Sequence, residues 1–205
     1  MIAVAEIPAQ LEAYLDRLVQ TLGETTELVA AYLVGSAARG AYDDGRSDVD
    51  VIAVTERPLT LDEKRGVAAA AEAIPCPARK LELVVYARGS GHWELNVNTG
   101  EHVSFDPAEE PPFWFLLDRA IPEQDVVLLV GPSWEELFEP VEHVAILAAL
   151  EQALDWQERE EPLDAGSLLN AVRAWQWVET GRWASKPDTA DWLRKRVRSA
   201  IREAR

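Results

Sequence analysis

The fold is decided by Ala31-Tyr-Leu-Val-Gly35-Ser36-Ala-Ala-Arg39-Gly40 together with Ser47-Asp48-Val-Asp50-Val-Ile-Ala-Val54. This pattern predicts an apolar strand, a Gly-Ser turn that opens a short helix, and a second strand that begins with two carboxylates. Side chains at positions i and i+2 of a strand point to the same face of a sheet. We therefore expect the Asp48 and Asp50 side chains to lie side by side.

The Gly-Ser turn favours anion binding next to these carboxylates. Gly35 permits a close approach of the backbone, and Ser36 can donate a hydrogen bond to a phosphate oxygen. The residues that follow, including Arg39, can begin a helix whose N-terminus attracts anions. Paired aspartates supply the hard oxygen ligands that Mg²⁺ prefers. Together these features indicate metal-assisted chemistry on a nucleoside triphosphate.

The composition limits the classes of partner. The chain has 205 residues, of which 48% are hydrophobic and 27% charged, as in an ordinary globular protein of one large or two small domains. Its net charge of −16 and pI near 4.6 disfavour nucleic-acid binding, which relies on basic patches. An acidic surface favours a cationic partner, although the same charge also serves solubility alone.

Cysteine content and hydropathy exclude several other classes. Cys76 is the only cysteine, so an intramolecular disulfide and a cysteine zinc site are excluded. The sequence shows neither a signal segment nor an apolar run of about 18 residues that could span a membrane. We expect a cytoplasmic protein without membrane contact, as a monomer or weak dimer.

The order of strand and helix patterns predicts an α/β or α+β fold in two domains. A first helix is expected to end at Gly23, and the segment 96–112 is expected to be a long loop. The N-terminal nucleotide-handling domain, 1–139, should contain a small mixed sheet flanked by helices, and 140–205 should form an all-α bundle. The predicted strands are 27–34, 48–54, 79–87 and 126–130, and the later helices are 61–74, 113–120, 144–157, 167–180 and 188–204.

Glu82 is a third candidate carboxylate. It faces away from its neighbours Leu81 and Leu83 in the third predicted strand. If this strand pairs beside the second, Glu82 joins Asp48 and Asp50 on one face. A carboxylate among apolar residues is unfavourable unless a metal or partner compensates it, which indicates a functional site. The alternative is that Glu82 lies on a solvated face and that both aspartates are loop-edge acids.

Gly35-Ser36, eleven residues, Asp48-x-Asp50 and a later strand carboxylate together resemble the nucleotidyltransferase superfamily. Within it, the chain looks most like the aminoglycoside adenylyltransferases that act on streptomycin and spectinomycin. This resemblance covers nearly the whole chain. Matching segments are 34–40, 47–50, 81–85, 129–132, 135–141 and 170–175, with shorter matches at 180–181, 185–186 and 190–192.

The resemblance implies an ATP- and Mg²⁺-dependent enzyme that transfers AMP to a hydroxyl of an aminoglycoside-like, cationic small molecule and so confers antibiotic resistance. It implies that Asp48 and Asp50 hold Mg²⁺ and that Glu82 is the general base. The implied nucleotide contacts are Ser36 and Ser47, beside the turn residues Gly35 and Arg39, with Arg173 and Lys186 reaching the triphosphate from the helical domain.

The acceptor side departs from the family pattern. The resemblance implies a tryptophan in the loop after the third strand, where this chain has Glu101 or His102. Glu82 is the other acceptor contact expected in the N-terminal domain. Asp164 lies near an expected acid with a shift of one position, and Glu160 and Glu161 compete with it.

Two other functions stay open. The chain could transfer a nucleotide to another metabolite or to a protein, as minimal nucleotidyltransferase antitoxins do. The helical C-terminal segment disfavours this, because such antitoxins are usually little more than the catalytic domain. A non-catalytic nucleotide-binding or regulatory module is the second alternative. Glu82 disfavours it, because a module that only binds nucleotide need not retain a base.

Overall fold

The computed structural model describes residue 7 and residues 9–160 and 164–203. The chain divides into two compact units, Met1–Pro140 and Val141–Arg205. The boundary expected after residue 139 lies next to this division. Within the described residues, no helix is both long and apolar enough to cross a membrane.

A six-stranded mixed sheet forms the centre of the first unit. Its strands are β1 (Leu28–Val34), β2 (Val49–Thr55), β3 (Leu81–Ala87), β4 (Trp93–Asn98), β5 (His102–Ser104) and β6 (Val127–Val130). They lie in the order β5-β4-β3-β2-β1-β6. β2 and β3 are parallel, and every other neighbouring pair is antiparallel. The predicted mixed α/β class is confirmed, and the four predicted strands are found to within two residues.

Helices cover the sheet on both faces. Those of the first unit are α1 (Ala9–Thr25), α2 (Gly35–Ala38), α3 (Leu61–Glu72), α4 (Phe113–Ala120) and α5 (Trp134–Leu137). On one face, apolar residues of α1 and α3 pack against Leu33, Val51 and Leu83. On the other face, Tyr32 packs edge-on against Trp134, and its hydroxyl donates to the carbonyl of Pro132. The alternation along the strands therefore places Asp50 and Glu82 on this second face.

The prediction of a long loop over 96–112 is wrong, because strands β4 and β5 occupy part of this segment. Leu95 and Val97 alternate with Asn96 and Asn98, which is a strand pattern with one polar face. Asparagine is disfavoured in strands, and this propensity masked the alternation. Pairing with β3 overrides the propensity and places the asparagines beside Glu82.

The second unit is helical, as expected. It contains α6 (His143–Glu160), α7 (Ala165–Thr180) and α8 (Lys186–Glu203). Trp177 stacks on Trp183 with ring centroids 5.3 Å apart and on His143 at 4.8 Å. Trp175 meets Trp192 edge-on at 5.0 Å. Aromatic side chains therefore hold this unit together.

The first helix, predicted to end at Gly23, continues to Thr25. Gly23 therefore lies inside a helix, where glycine is destabilising. Gly23 and Gly66 lie exposed within α1 and α3, where an added Cβ would meet nothing within 4 Å. We expect Gly23→Ala and Gly66→Ala each to raise the free energy of unfolding by about 1 kcal/mol, because alanine loses less conformational entropy in a helix. Urea unfolding monitored by circular dichroism measures the change.

Gly45→Ala is the matched control. This position is equally open, but its φ is +72°. The left-handed conformation should make Gly45→Ala destabilising by about 1–2 kcal/mol. A destabilising Gly23→Ala would contradict the helix assignment beyond Leu22.

Candidate active site

A row of polar residues crosses four strands of the sheet. Asp50 of β2 is paired with Glu82 of β3, Glu82 with Asn98 of β4, and Asn98 with His102 of β5. Residues paired across neighbouring strands lie on the same face. The structure thus brings the carboxyl groups of Asp50 and Glu82 together. This row forms the floor of the candidate site.

Gly35 lies against Asp50. It has a φ of +67°, and a Cβ at this position would overlap Asp50 Oδ2. Any other residue at position 35 would therefore displace the carboxylate. Ser36 follows in α2 and is half-buried. The Gly-Ser turn and the carboxylate predicted to accompany it are in contact.

The site carries excess negative charge. Burial, reinforced by Glu82, Asp48 and Asp118, raises the pKa of Asp50 to about 8. Asp48 directly precedes β2, and the Arg79 guanidinium binds both of its oxygens, at 2.8 Å from Nε and 2.6 Å from Nη2. The raised pKa of Asp50 and the Arg79 guanidinium beside Asp48 each lower the negative charge of the site, as a bound divalent cation would also do.

Asp48 and Asp50 could supply two of the ligands of a Mg²⁺ ion, but not its whole coordination sphere. Within residues 9–160 and 164–203, the structure has no group of three or more histidine, cysteine or acidic side chains that could hold a metal. Mg²⁺ commonly uses one or two carboxylates and takes its other ligands from substrate phosphates and water. Asp50, which lies against the Gly35 turn, and Asp48, two residues before it, suit this mode of binding.

Lys80 belongs to the site, and the sequence reasoning missed it. Its side chain is 9% exposed, and Nζ lies 2.8 Å from Glu82 Oε1 and 2.6 Å from Glu101 Oε2. It also donates to Asn98 Oδ1 at 3.1 Å. The available signal was its position two residues before Glu82, on the same side of the strand. Glu101, an expected acceptor contact, thus binds Lys80 and lies 3.5 Å from Arg79.

Two further acids were also missed. Burial, with repulsion from Glu82 and Glu110, raises the pKa of Asp118 on α4 to about 7. Asp118 lies three positions after buried Phe115, a spacing that indicates the inward side of α4. Glu110 accepts hydrogen bonds from Asn96 Nδ2 at 3.0 and 3.1 Å. His102, the other expected acceptor contact, lies 3.8 Å from Glu110.

Two residues that were predicted to contact the nucleotide, Arg39 and Ser47, contact other residues of the first unit in the structure. Arg39 Nε is 3.0 Å from Asp125 Oδ2, and the Arg39 side chain is 9% exposed. This contact connects α2 to the segment after α4. Ser47 Oγ accepts a hydrogen bond from the Asp43 amide at 2.9 Å, which closes the turn before Asp48. A nucleotide contact for either residue stays a prediction.

The remaining predicted residues lie in the second unit. Arg173 Nε donates to the carbonyl of Ala184 at 3.2 Å, and Lys186 opens α8 two residues later. Asp164 caps α7 by accepting from the Ser167 amide at 2.8 Å, and hydrogen bonds to its carboxylate lower its pKa. An acceptor contact for Asp164 stays a prediction. The Glu160 side chain and Glu161 lie outside the described residues.

Comparison with known proteins identifies two matching family models and several similar enzymes. The model of the nucleotidyltransferase domain matches residues 15–90, and that of the aminoglycoside adenylyltransferase C-terminal domain matches 136–205. The aminoglycoside (3'') (9) adenylyltransferases of Shigella flexneri and Escherichia coli are each 29% identical to the chain, over 95% of it and 80% of their own length.

A solved structure shows the same fold. Spectinomycin adenyltransferase from Enterococcus faecialis, crystallised with ATP and spectinomycin, superposes with a TM-score of 0.69 at 16% identity. The match covers 95% of this chain and 88% of that one. The fold likeness extends over nearly the whole of both chains.

The contact between Gly35 and Asp50 predicts a binding defect. We expect Gly35→Ala to weaken Mg²⁺–ATP binding by about tenfold or more, because the new methyl group displaces the Asp50 carboxylate from its position. Isothermal titration calorimetry measures the affinity. Gly89→Ala is the control, since φ is +73° there and a Cβ would meet nothing within 4 Å. Equal affinities for the two variants would argue against Asp50 as a ligand.

The raised pKa of Asp118 predicts how stability depends on pH. Protonation of Asp118 is favoured in the folded protein, so the stability that this group contributes is lost as pH rises from about 4, the ordinary aspartate value, through about 7. The amide introduced by Asp118→Asn does not titrate. The stability of this variant relative to wild type should therefore increase over this pH range and level off above it, without Mg²⁺ or nucleotide. Denaturant unfolding at several pH values measures this, and a constant difference would contradict it.

Proposed function

We infer from these matches that the chain belongs to the aminoglycoside adenylyltransferase family, and on this premise we propose that it transfers AMP from ATP to a hydroxyl group of an aminoglycoside-like small molecule. The observation that carries the proposal is the pairing of Asp50 with Glu82 across parallel strands, directly against the Gly35 turn. This arrangement supports the proposal that Asp50 binds metal and Glu82 acts as base near a turn suited to phosphate.

On the donor side, Asp48 and Asp50 would hold Mg²⁺. Bound there, the metal would neutralise triphosphate charge and polarise the reacting phosphate. Gly35 leaves room for the Asp50 carboxylate, and Ser36 would donate to a phosphate oxygen. Arg173 and Lys186 of the helical unit would supply the cations that stabilise charge on the departing pyrophosphate.

Glu82 would act on the acceptor. Its carboxylate takes the proton of the acceptor hydroxyl as that oxygen forms a bond to the α-phosphorus of ATP. The bond between the α-phosphorus and the bridging oxygen breaks, and pyrophosphate leaves with the electron pair. The products are the AMP ester of the acceptor and pyrophosphate. Glu82 is 37% exposed, so an incoming hydroxyl can reach it.

The acceptor is proposed to be cationic. Glu110, Asp118, Glu82 and Glu101 lie around one face of the sheet, and the chain as a whole carries a net charge of −16. Such a surface attracts amino sugars and concentrates them. Modification of such an antibiotic would confer resistance. A cytoplasmic location, where ATP is available, and a monomeric or weakly dimeric state complete the proposal.

Replacement of the base tests the reaction. We expect Glu82→Gln to lower kcat by about 100-fold or more while Mg²⁺–ATP affinity stays near wild type, because glutamine cannot accept the proton. Pyrophosphate release is measured over a panel containing streptomycin, spectinomycin, other aminoglycosides and neutral sugars. Near-wild-type turnover by Glu82→Gln would eliminate Glu82 as the base.

Asp50→Asn serves as the matched control in the same assay. It also removes one carboxylate from the polar row, but it should weaken Mg²⁺–ATP binding as well as turnover. If the wild-type protein releases no pyrophosphate with any aminoglycoside, the proposed acceptor class is overturned.

A further inference from the structure

The ammonium group of Lys80 contacts three side chains of the site, two through hydrogen bonds from Nζ and one as an ion pair. Its partners are Glu82 Oε1 at 2.8 Å, Glu101 Oε2 at 2.6 Å and Asn98 Oδ1 at 3.1 Å. With 9% of its side chain exposed, Lys80 has little access to water that could replace any of them. The ammonium is thus fixed at one place relative to Glu82.

Glu82 depends on this contact. Among the residues that the structure describes, Lys80 is the only cationic side chain within 4 Å of Glu82. On its other side Glu82 meets Asp50, which repels it when both are ionised. Without Lys80, the Glu82 carboxylate would have an acidic neighbour and no cation to fix its direction.

Glu101 also binds Lys80. It follows the turn at Gly100 that joins β4 to β5, and Lys80 directly precedes β3. The Lys80–Glu101 contact therefore connects two neighbouring segments that are separate in sequence. Because Asn98 is the register partner of Glu82, the cage of Lys80 is built from the same row of the sheet as the base.

We propose that Lys80 is a positioning residue that directs the Glu82 carboxylate toward the acceptor hydroxyl, and that Glu101 anchors Lys80 in this place. This inference rests on the proposed function, since it assigns Glu82 the role of base. Lys80 touches the base rather than the reacting atoms, so its effect falls on turnover. An acceptor-binding role for Glu101 would instead affect the KM of the acceptor.

Kinetics of Lys80 variants test the proposal. We expect Lys80→Met to lower kcat by about tenfold or more with little change in the KM of ATP, because the base loses its orientation. Lys80→Arg keeps the positive charge and should retain more of kcat. Glu101→Gln should lower kcat less than Lys80→Met, and adding it to Lys80→Met should cause no further loss, because Glu101 acts through Lys80.

Lys64→Met is the matched control. Lys64 is similarly buried, with 12% of its side chain exposed, and it pairs with Glu94 at 3.3 Å outside the candidate site. Its loss should reduce stability without lowering the kcat of the folded protein. Equal loss of kcat in Lys64→Met and Lys80→Met would overturn the proposal, and so would a Lys80→Met variant with wild-type kcat.

A contact measurement separates this inference from the proposed function. The ¹⁵N resonance of the Lys80 ammonium, assigned by its absence in Lys80→Arg, should shift in Glu82→Gln and in Glu101→Gln without any acceptor. An unchanged resonance in Glu82→Gln would overturn the inference whatever the acceptor is. The expected shifts with no AMP transfer by the wild-type protein to any acceptor would overturn the proposed function instead.

Discussion

Repulsion between carboxylates on one face of the sheet is the constraint on which the site depends. Register sets Asp50 beside Glu82, and Asp48 and Asp118 lie close enough to raise the pKa of Asp50. Like charges at this separation are tolerated only when protons or cations compensate them. Burial and the neighbouring carboxylates raise the pKa of Asp50, while Arg79 pairs with Asp48 and Lys80 pairs with Glu82. The proposed metal binding by Asp48 and Asp50 and the proposed base role of Glu82 both depend on this balance of charges.

Much of this arrangement was predictable from sequence, because local patterns determine it. Gly35-Ser36 and Asp48-x-Asp50 predicted the turn and the carboxylate pair, and the alternation around Glu82 predicted its face. The parallel pairing of β2 with β3 is the step that brings these residues together. The sequence analysis could only assume this pairing, because sequence spacing does not specify which strands become neighbours.

The rest depended on tertiary context. Asn96 and Asn98 suggested a loop, yet they form a strand whose polar side faces the site. Asp118 belongs to a separate helix, and its proximity to Glu82 follows from how α4 packs on the sheet. Lys80 looked like an ordinary charged residue before a strand. Only the positions of Glu101 and Asn98 reveal that it is almost fully enclosed.

The close approach of Gly35 to Asp50 also limits how the protein can evolve. The space for a side chain at position 35 is already occupied by the Asp50 carboxylate. A larger residue there could be accommodated by shortening residue 50, but that change would delete the carboxylate itself. Second-site repair can therefore restore packing but not the ligand. Glycine at position 35 and aspartate at position 50 must therefore be retained together. A lineage that loses either residue can recover the site in a single step only by reversion.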